Sequence, residues 1–355
     1  MQEKGAQPVV DLFRADGSGI RKMKTRNNII AVFFILISIC STTAGENAAV
    51  QVSRLVDFLA LGTGSMTGTY FPLGNAFANA WTTRSEKLSV QAHSTRGSLD
   101  NINLLQNLEL DLAVAQSDMV LAAINGAGQF AGAPVNGLRV LLALYPEVVQ
   151  VLTPASATIT NISQLRGKRI VVGARGSGNA MTSVELLSAM GVREGHYQPL
   201  YLGYDESIQA MERGECDAAI IIAGIPTKMV DELARRMPVR IMNFSDAELA
   251  SISETLPYLS GVKIPALTYG GVNEEVKVPA LMAMLVTTTR LSEELGNRLV
   301  ATLFAELDYL KTIHERAHDI KPETMLNGIP EGYLHAGTAR FIRESGLKAG
   351  KKTDE

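Results

Sequence analysis

The sequence predicts an α/β protein of two lobes whose chain crosses between them more than once. Three observations carry that prediction. From residue 55 to about 245, short apolar runs alternate with amphipathic stretches, the pattern of parallel strands joined by helices. Three of those strands run into loops of glycine, serine and threonine that open helices. No linker or fixed-period repeat divides the 355 residues, a length that suits two domains. The crossings are therefore expected within strands, at LYPEVVQVLTP and PALMAMLVTT.

The N-terminus stands apart from this pattern. Arg21, Lys22, Lys24 and Arg26 precede the apolar run IIAVFFILISIC, and small residues come after it. Basic, then apolar, then small is the order of a secretory signal peptide. The run is short beside the roughly 20 residues of a membrane-spanning helix, which speaks against the alternative of an uncleaved anchor. Residues 1–44 are read as this leader, with cleavage after Ala44. Met23 would open a more conventional leader than Met1. Cys40 closes the apolar run, but Ile39 before it is too large for lipoprotein processing. Without residues 1–44 the chain keeps 27 basic and 33 acidic side chains, a formal charge of −6. No basic surface for nucleic acid is expected. Only Cys216 then remains, so no intramolecular disulfide can form.

Strands are expected at 56–61, 88–93, 111–116, 138–145, 148–153, 168–173, 199–202, 217–223 and 239–242, with helices between them. After residues 279–289 the character changes. LSEELGNRLVATLFAELDYLKTIHERAHDI reads as one helix, and Pro322, Pro330 and several glycines divide the remaining residues into short helices.

The loops carry the chemistry. GTGSMTG has glycines at 62, 64 and 68, but it does not match G-x-G-x-x-G, and no acidic residue stands at the ribose-binding distance. Its Ser65, Thr67, Thr69 and Tyr70 at a helix N-terminus suit a small anion; a tight turn without a ligand is the alternative. GARGSGNAMTS lacks the lysine of a phosphate loop. HSTRGSLDN offers Arg96 for a bidentate carboxylate pair, or for solvent. In AQSDMV, Gln116 and Ser117 end a strand and can bond a ligand or cap a helix. HERAH matches H-E-x-x-H through His314, Glu315 and His318. Pro322 comes soon after and no third ligand stands at the short spacing, so it reads as a solvated helix end. No Ser-His-Asp or Cys-His set is found. No catalytic residue, metal or cofactor is expected.

Taken in order, GTGSMTGTYFPLG, STRGSLDN, AQSDMV, LYPEVVQVL, LRGKRIVVGARGSGNA, AAIIIAGIPT, YGGVNEEVKVPALMAMLVTT and LHAGTARFIRESG resemble the TAXI family of solute receptors. These serve tripartite ATP-independent periplasmic (TRAP) transporters. The resemblance spans roughly residues 55 to 346. It implies a type II periplasmic binding protein fold, with lobe I over 50–147 plus 287–350, lobe II over 148–286, and two segments crossing the hinge. It also implies a periplasmic, monomeric, non-enzymatic receptor that passes a small carboxylate, such as glutamate or 2-oxoglutarate, to inner-membrane transporter subunits. Carried over by motif, the ligand contacts are Gly64, Ser65, Thr67, Thr69 and Tyr70, then Thr95, Gly97, Ser98, Gln116 and Ser117, with Tyr145 at the crossing. Lobe II adds Gly176, Ser177, Gly178 and Asn179, with Ala223, Gly224 and Pro226 on the opposite wall.

Four positions depart from the family pattern. Met66 replaces a glycine, Phe71 a tyrosine, Arg96 a small residue and Arg175 a proline. Two arginines pointing inward would favour a dicarboxylate. A zinc hydrolase built on HERAH, or a receptor serving a signalling partner, are the competing classes.

Overall fold

Alternating strands and helices build the computed structural model, which describes residues 56–347 and residue 350; the leader read over residues 1–44 lies outside the described residues. The first part of the chain supplies β1 (Asp57–Gly62), α1 (Tyr70–Thr83), β2 (Leu88–His93), α2 (Ser98–Gln106), β3 (Leu112–Gln116) and α3 (Ser117–Asn125). The long strand β4 (Leu138–Pro154) comes next, then β5 (Arg169–Val171), α4 (Gly178–Ala189), β6 (Gln198–Leu200), α5 (Tyr204–Glu212) and β7 (Ala218–Ala223). After these run α6 (Lys228–Arg236), β8 (Val239–Ile241), α7 (Asp246–Thr255), β9 (Ser260–Ile264) and a second long strand, β10 (Val276–Thr288). The chain closes with α8 (Glu293–Ala305), α9 (Leu307–Ile313) and α10 (Ala336–Ser345).

The strands hydrogen-bond in the order β2-β1-β3-β10-β4-β7-β5-β6, with β8 on β4 and β9 on β10. β1 is parallel to β2 and β3, and β5 is parallel to β6 and β7. β10 returns antiparallel between β3 and β4. Two short parallel sheets are thus joined by two long antiparallel strands. Burial divides at the same place. One apolar cluster takes in Val148, Ile220 and Leu281, while Tyr145 and Ala283 belong to another built around Phe77, Trp81 and Leu303. A third, with Ile102, Val120 and Val286, covers the other face of the first sheet. Strands β4 and β10 therefore pass from one core to the other. This is the two-lobed type II periplasmic binding protein fold, with the two crossing segments the sequence predicts.

Two expectations need correction. The runs at 138–145 and 148–153 form one strand. Pro146, which lacks the N–H of an interior strand residue, sits beside a register shift against β10 and just before β4 takes β7 as a partner. The long C-terminal helix is broken twice. Glu306 ends α8 and begins α9, and its carboxylate is held by Arg84 at 2.7 Å. Tyr309 on α9 accepts from Asn79 at 2.9 Å, so contacts with α1 redirect the helix. Strand β9 carries no marked apolar pattern and was not expected; it pairs with the first residues of β10.

Among the described residues, no helix is long and apolar enough to cross a membrane. Trp81 shows how the C-terminal helices are held to the first sheet: it is 1% exposed and its indole N–H donates to the Leu299 carbonyl at 2.9 Å. Replacing Trp81 with Ala removes a large buried ring and leaves that carbonyl without this donor. Denaturant unfolding is expected to show a loss of about 3–5 kcal/mol; a loss below about 1 kcal/mol would mean that these helices are held elsewhere.

Candidate functional site

Two glycine–asparagine pairs shape the loops, one in each lobe. At the end of β1, a Cβ on Gly62 would lie 2.7 Å from Asn101 Oδ1. Asn101, wholly buried, donates to the carbonyls of Thr63 and Val114, each at 2.7 Å, and accepts from Thr95 Oγ1 at 2.7 Å. In the second lobe, a Cβ on Gly173 would lie 2.7 Å from Asn179 Nδ2. Asn179 donates to the carbonyls of Val172 and Ile220, at 2.7 and 2.9 Å, and accepts from the Ile222 N–H at 2.7 Å. Each buried amide satisfies main-chain groups where strands end, as buried polar groups require. The glycines exist to let the amides in.

The loops so fixed aim helix N-termini at one cavity of ≈ 240 Å³ between the lobes. From the first lobe, Gly64, Ser65, Gly68, Thr69 and Tyr70 line it at the start of α1, and Thr95, Arg96, Gly97 and Ser98 at the start of α2. Gln116 adds the end of β3. The second lobe contributes Ala174, Ser177, Gly178 and Asn179 at α4, Gly203 and Tyr204 at α5, and Ile222 and Ala223 from β7. Helices α1 and α2 begin without a side-chain cap; at α5 the Glu206 carboxylate accepts from the Gly203 N–H at 2.9 Å, and Ser177 Oγ caps α4. Free N–H groups at a helix start carry partial positive charge and bind anions. Asn179 can offer such a site only its N–H, because its side chain is engaged with main chain.

The lobes touch across this cavity. Thr67 Oγ1 donates to Asp205 at 3.3 Å, and Thr182 Oγ1 donates to the buried carboxyl of Asp118. Gln116 reaches so close to Gly178 that a Cβ there would meet its Oε1 at 1.8 Å. That Oε1 is buried and has no partner among the described residues.

Sequence reasoning missed Glu147, which lines the cavity and is 3% exposed. It sits on β4 at the crossing, and it accepts from the Tyr70 hydroxyl at 2.7 Å. Burial pushes its carboxyl up to about 8, opposed by the Tyr70 hydrogen bond and reinforced by Asp118. Burial likewise pushes Asp118 up to about 7, opposed by its bonds from Thr182 and the Met119 N–H. The Tyr70 hydroxyl is itself held above its ordinary value by burial and by Glu147. In sequence, Pro146 and Glu147 fall between the two strands expected at 138–145 and 148–153, so nothing marked the glutamate.

Several expected contacts lie elsewhere. The Arg96 guanidinium pairs with Asp100 at 2.8 Å, and its side chain is 69% exposed. Arg175 stacks over the Tyr201 ring, 4.1 Å from its centre, and does not line the cavity. Ser117 Oγ accepts from the Met282 N–H at 3.2 Å. Tyr145 is buried beneath the site, its ring against Gly224, which also meets Arg316. Gly176 forms a turn with φ of 78°, and Pro226 lines a separate groove with Arg316. The HERAH segment is not α-helical. His314 is extended and its Nδ1 accepts from the Arg316 N–H, while Glu315–Asp319 forms a 3₁₀ turn. At three residues per turn, positions four apart do not share a face, so the two imidazoles lack the geometry that H-E-x-x-H requires.

A family model described as NMT1-like matches residues 61–346. The chain belongs to the NMT1-like family. In this NMT1-like protein the match takes in every loop that lines the cavity. Similar solved structures include the alkanesulfonate-binding protein SsuA from Xanthomonas axonopodis pv. citri bound to MOPS, at 15% identity, 82% of this chain, 80% of that one and a TM-score of 0.48. The periplasmic aliphatic sulphonate binding protein SsuA from Escherichia coli matches at 14% identity with the same coverages and a TM-score of 0.48. A putative L-cystine ABC transporter protein from Listeria monocytogenes matches at 12%, over 74% of this chain and 95% of that one, with a TM-score of 0.47.

The two buried acids set a pH dependence. Unfolded, both carboxyls ionise near pH 4; folded, they keep their protons to about 7 and 8. The folded form thus binds more protons across that window, and stability falls as pH rises through it. Without ligand, the thermal midpoint of the NMT1-like protein is expected to drop between pH 5 and pH 8, and Asp118→Asn to flatten part of the slope. A midpoint that climbs over this range, unaltered in the variant, contradicts the assignment.

Proposed function

We propose that this protein is an extracytoplasmic receptor that captures a small carboxylate between its lobes and delivers it to a membrane transporter of the ATP-independent TRAP type. Membership of the NMT1-like family and the binding-protein fold support the receptor. The resemblance of the loop sequences to TAXI receptors, together with the leader pattern of residues 1–44, supports the transporter class and a periplasmic location.

The observation that carries the reading is the meeting of four helix starts, two from each lobe, at one cavity between the lobes. A carboxylate held there shares its charge among helix-start N–H groups; Ser177 takes one of these at α4 and Glu206 one at α5. Because the donors belong to both lobes, the solute favours the closed form, and only such a difference in affinity can drive a hinge. The arginines do not add to this charge: Arg96 is held by Asp100 and Arg175 by Tyr201. The case for a dicarboxylate made from them therefore lapses, and the class stays at small carboxylates.

Thermal unfolding against glutamate, glutamine, 2-oxoglutarate, C4 dicarboxylates, NAD and ATP tests the receptor. One carboxylate should raise the midpoint saturably, by about 2.7 kcal/mol of stability at a hundredfold excess over its Kd; a shift with a nucleotide alone would reject the reading. Gly178→Ala tests the clamp. Its methyl would strike Gln116 Oε1 at 1.8 Å and Ser98 Oγ at 2.8 Å, so closure is opposed. Calorimetry is expected to show affinity weakened at least about tenfold, ~1.4 kcal/mol, whereas unchanged affinity would show that binding does not need this lobe contact.

A further inference from the structure

The cavity holds two acceptors that nothing in the protein satisfies with positive charge. Glu147 is nearly inaccessible, and its one side-chain hydrogen bond among the described residues comes from the neutral Tyr70 hydroxyl. Tyr145, Tyr204 and the more distant Asp118 are the titratable groups acting around it, and the cation nearest this set, Arg316, acts on Tyr145 and is paired with Asp319 at 2.6 Å. Gln116, 3% exposed, presents Oε1 at the same cavity without a donor. The lining residues include one cationic side chain, Arg96, and its guanidinium is turned to Asp100 and solvent. A buried acceptor or carboxylate left without a partner is costly, and a cavity so lined calls for a ligand that brings donors.

We propose that Glu147 is the counter-ion for a protonated amine on the solute, so that this receptor takes ammonium carboxylates such as α-amino acids in preference to the matching 2-oxo acids. The inference rests on the receptor reading above and names its ligand class. The carboxylate lies against the uncapped helix starts; the ammonium, on the neighbouring carbon, donates to Glu147, and Gln116 Oε1 is a further acceptor lining the same cavity. A 2-oxo acid of the same length keeps the carboxylate contacts but turns a carbonyl oxygen toward Glu147 and Gln116, acceptor against acceptor. Position favours Glu147 for this task. It lies on β4 where both lobes share the strand, its main chain paired with Leu281 on β10, and the Tyr70 hydroxyl fixes its carboxyl.

The test compares solutes that differ only at the amine. Binding of L-glutamate and 2-oxoglutarate, L-alanine and pyruvate, and L-leucine and 4-methyl-2-oxopentanoate is measured by calorimetry on wild type, Glu147→Gln and Tyr70→Phe. Wild type is expected to bind at least one amino acid about thirtyfold or more tighter than its oxo twin, the range that breaking a buried charge pair produces. Glu147→Gln should lose most of that preference, through weaker amino-acid binding. Tyr70→Phe keeps the carboxylate but removes the hydroxyl that fixes it, and should lower the preference less than Glu147→Gln does. If an oxo acid binds wild type as tightly as its amino twin, or if Glu147→Gln leaves the ratio unchanged, the ammonium assignment is wrong while the receptor stands. If none of the six solutes binds, the ammonium assignment fails; the carboxylate receptor reading fails with it only if the thermal panel above also shows no carboxylate. The wild-type comparison decides the matter even if the glutamine variant does not fold.

Discussion

Everything at the cleft depends on two buried amides. Asn101 and Asn179 tie strand ends to the first turns of α2 and α4. Gly62 and Gly173 are the gaps that admit them. With the strand carbonyls satisfied by side chains, the main chain can leave the sheet abruptly and enter a helix with its first N–H groups pointing outward into the cleft. The same device in both lobes makes two parallel sheets present opposing sets of helix starts to the cleft. A network of this kind is stable only when complete, which explains why Asn179 has no side-chain capacity to spare for a ligand.

Closure brings acidic groups together where helix starts alone would suggest a uniformly positive site. Asp118 meets Thr182 across the lobes and Glu147 faces the cavity, both without a cationic partner among the described residues. Burying them keeps their protons on and makes the closed form sensitive to pH. The same burial leaves Glu147 able to exchange its proton for a cation that enters with the solute. Helix starts and the unpaired acceptor of Gln116 thus line one cavity together with Glu147.

Local features were legible in the sequence. The strand–glycine–helix loops announce themselves by composition over a few residues, and the runs of β7 and β10 are apolar enough to identify strands covered on both faces. Features set by partners distant in the chain were not. Glu147 stood in what looked like a break between strands, because Pro146 obscures a continuous β4. Asn179 looked like a ligand contact from its loop, while its partners Ile220 and Ile222 lie some 40 residues on. Arg175 found Tyr201, which no pattern signals. Arg96 is different: Asp100, four residues along a helix start, was in view and is the commonplace partner at that spacing. The HERAH motif misleads only if read as a regular helix; α9 ends before His314, which is extended.

The central claim is that helix starts from both lobes hold one carboxylate. A crystal structure grown with the carboxylate that most raises the thermal midpoint tests it most directly. The account predicts carboxylate oxygens about 3 Å from N–H groups at the starts of α1 or α2 and of α4 or α5, with the lobes closed on the solute. A ligand bound through Arg96 or Arg175, or against one lobe only, would contradict it.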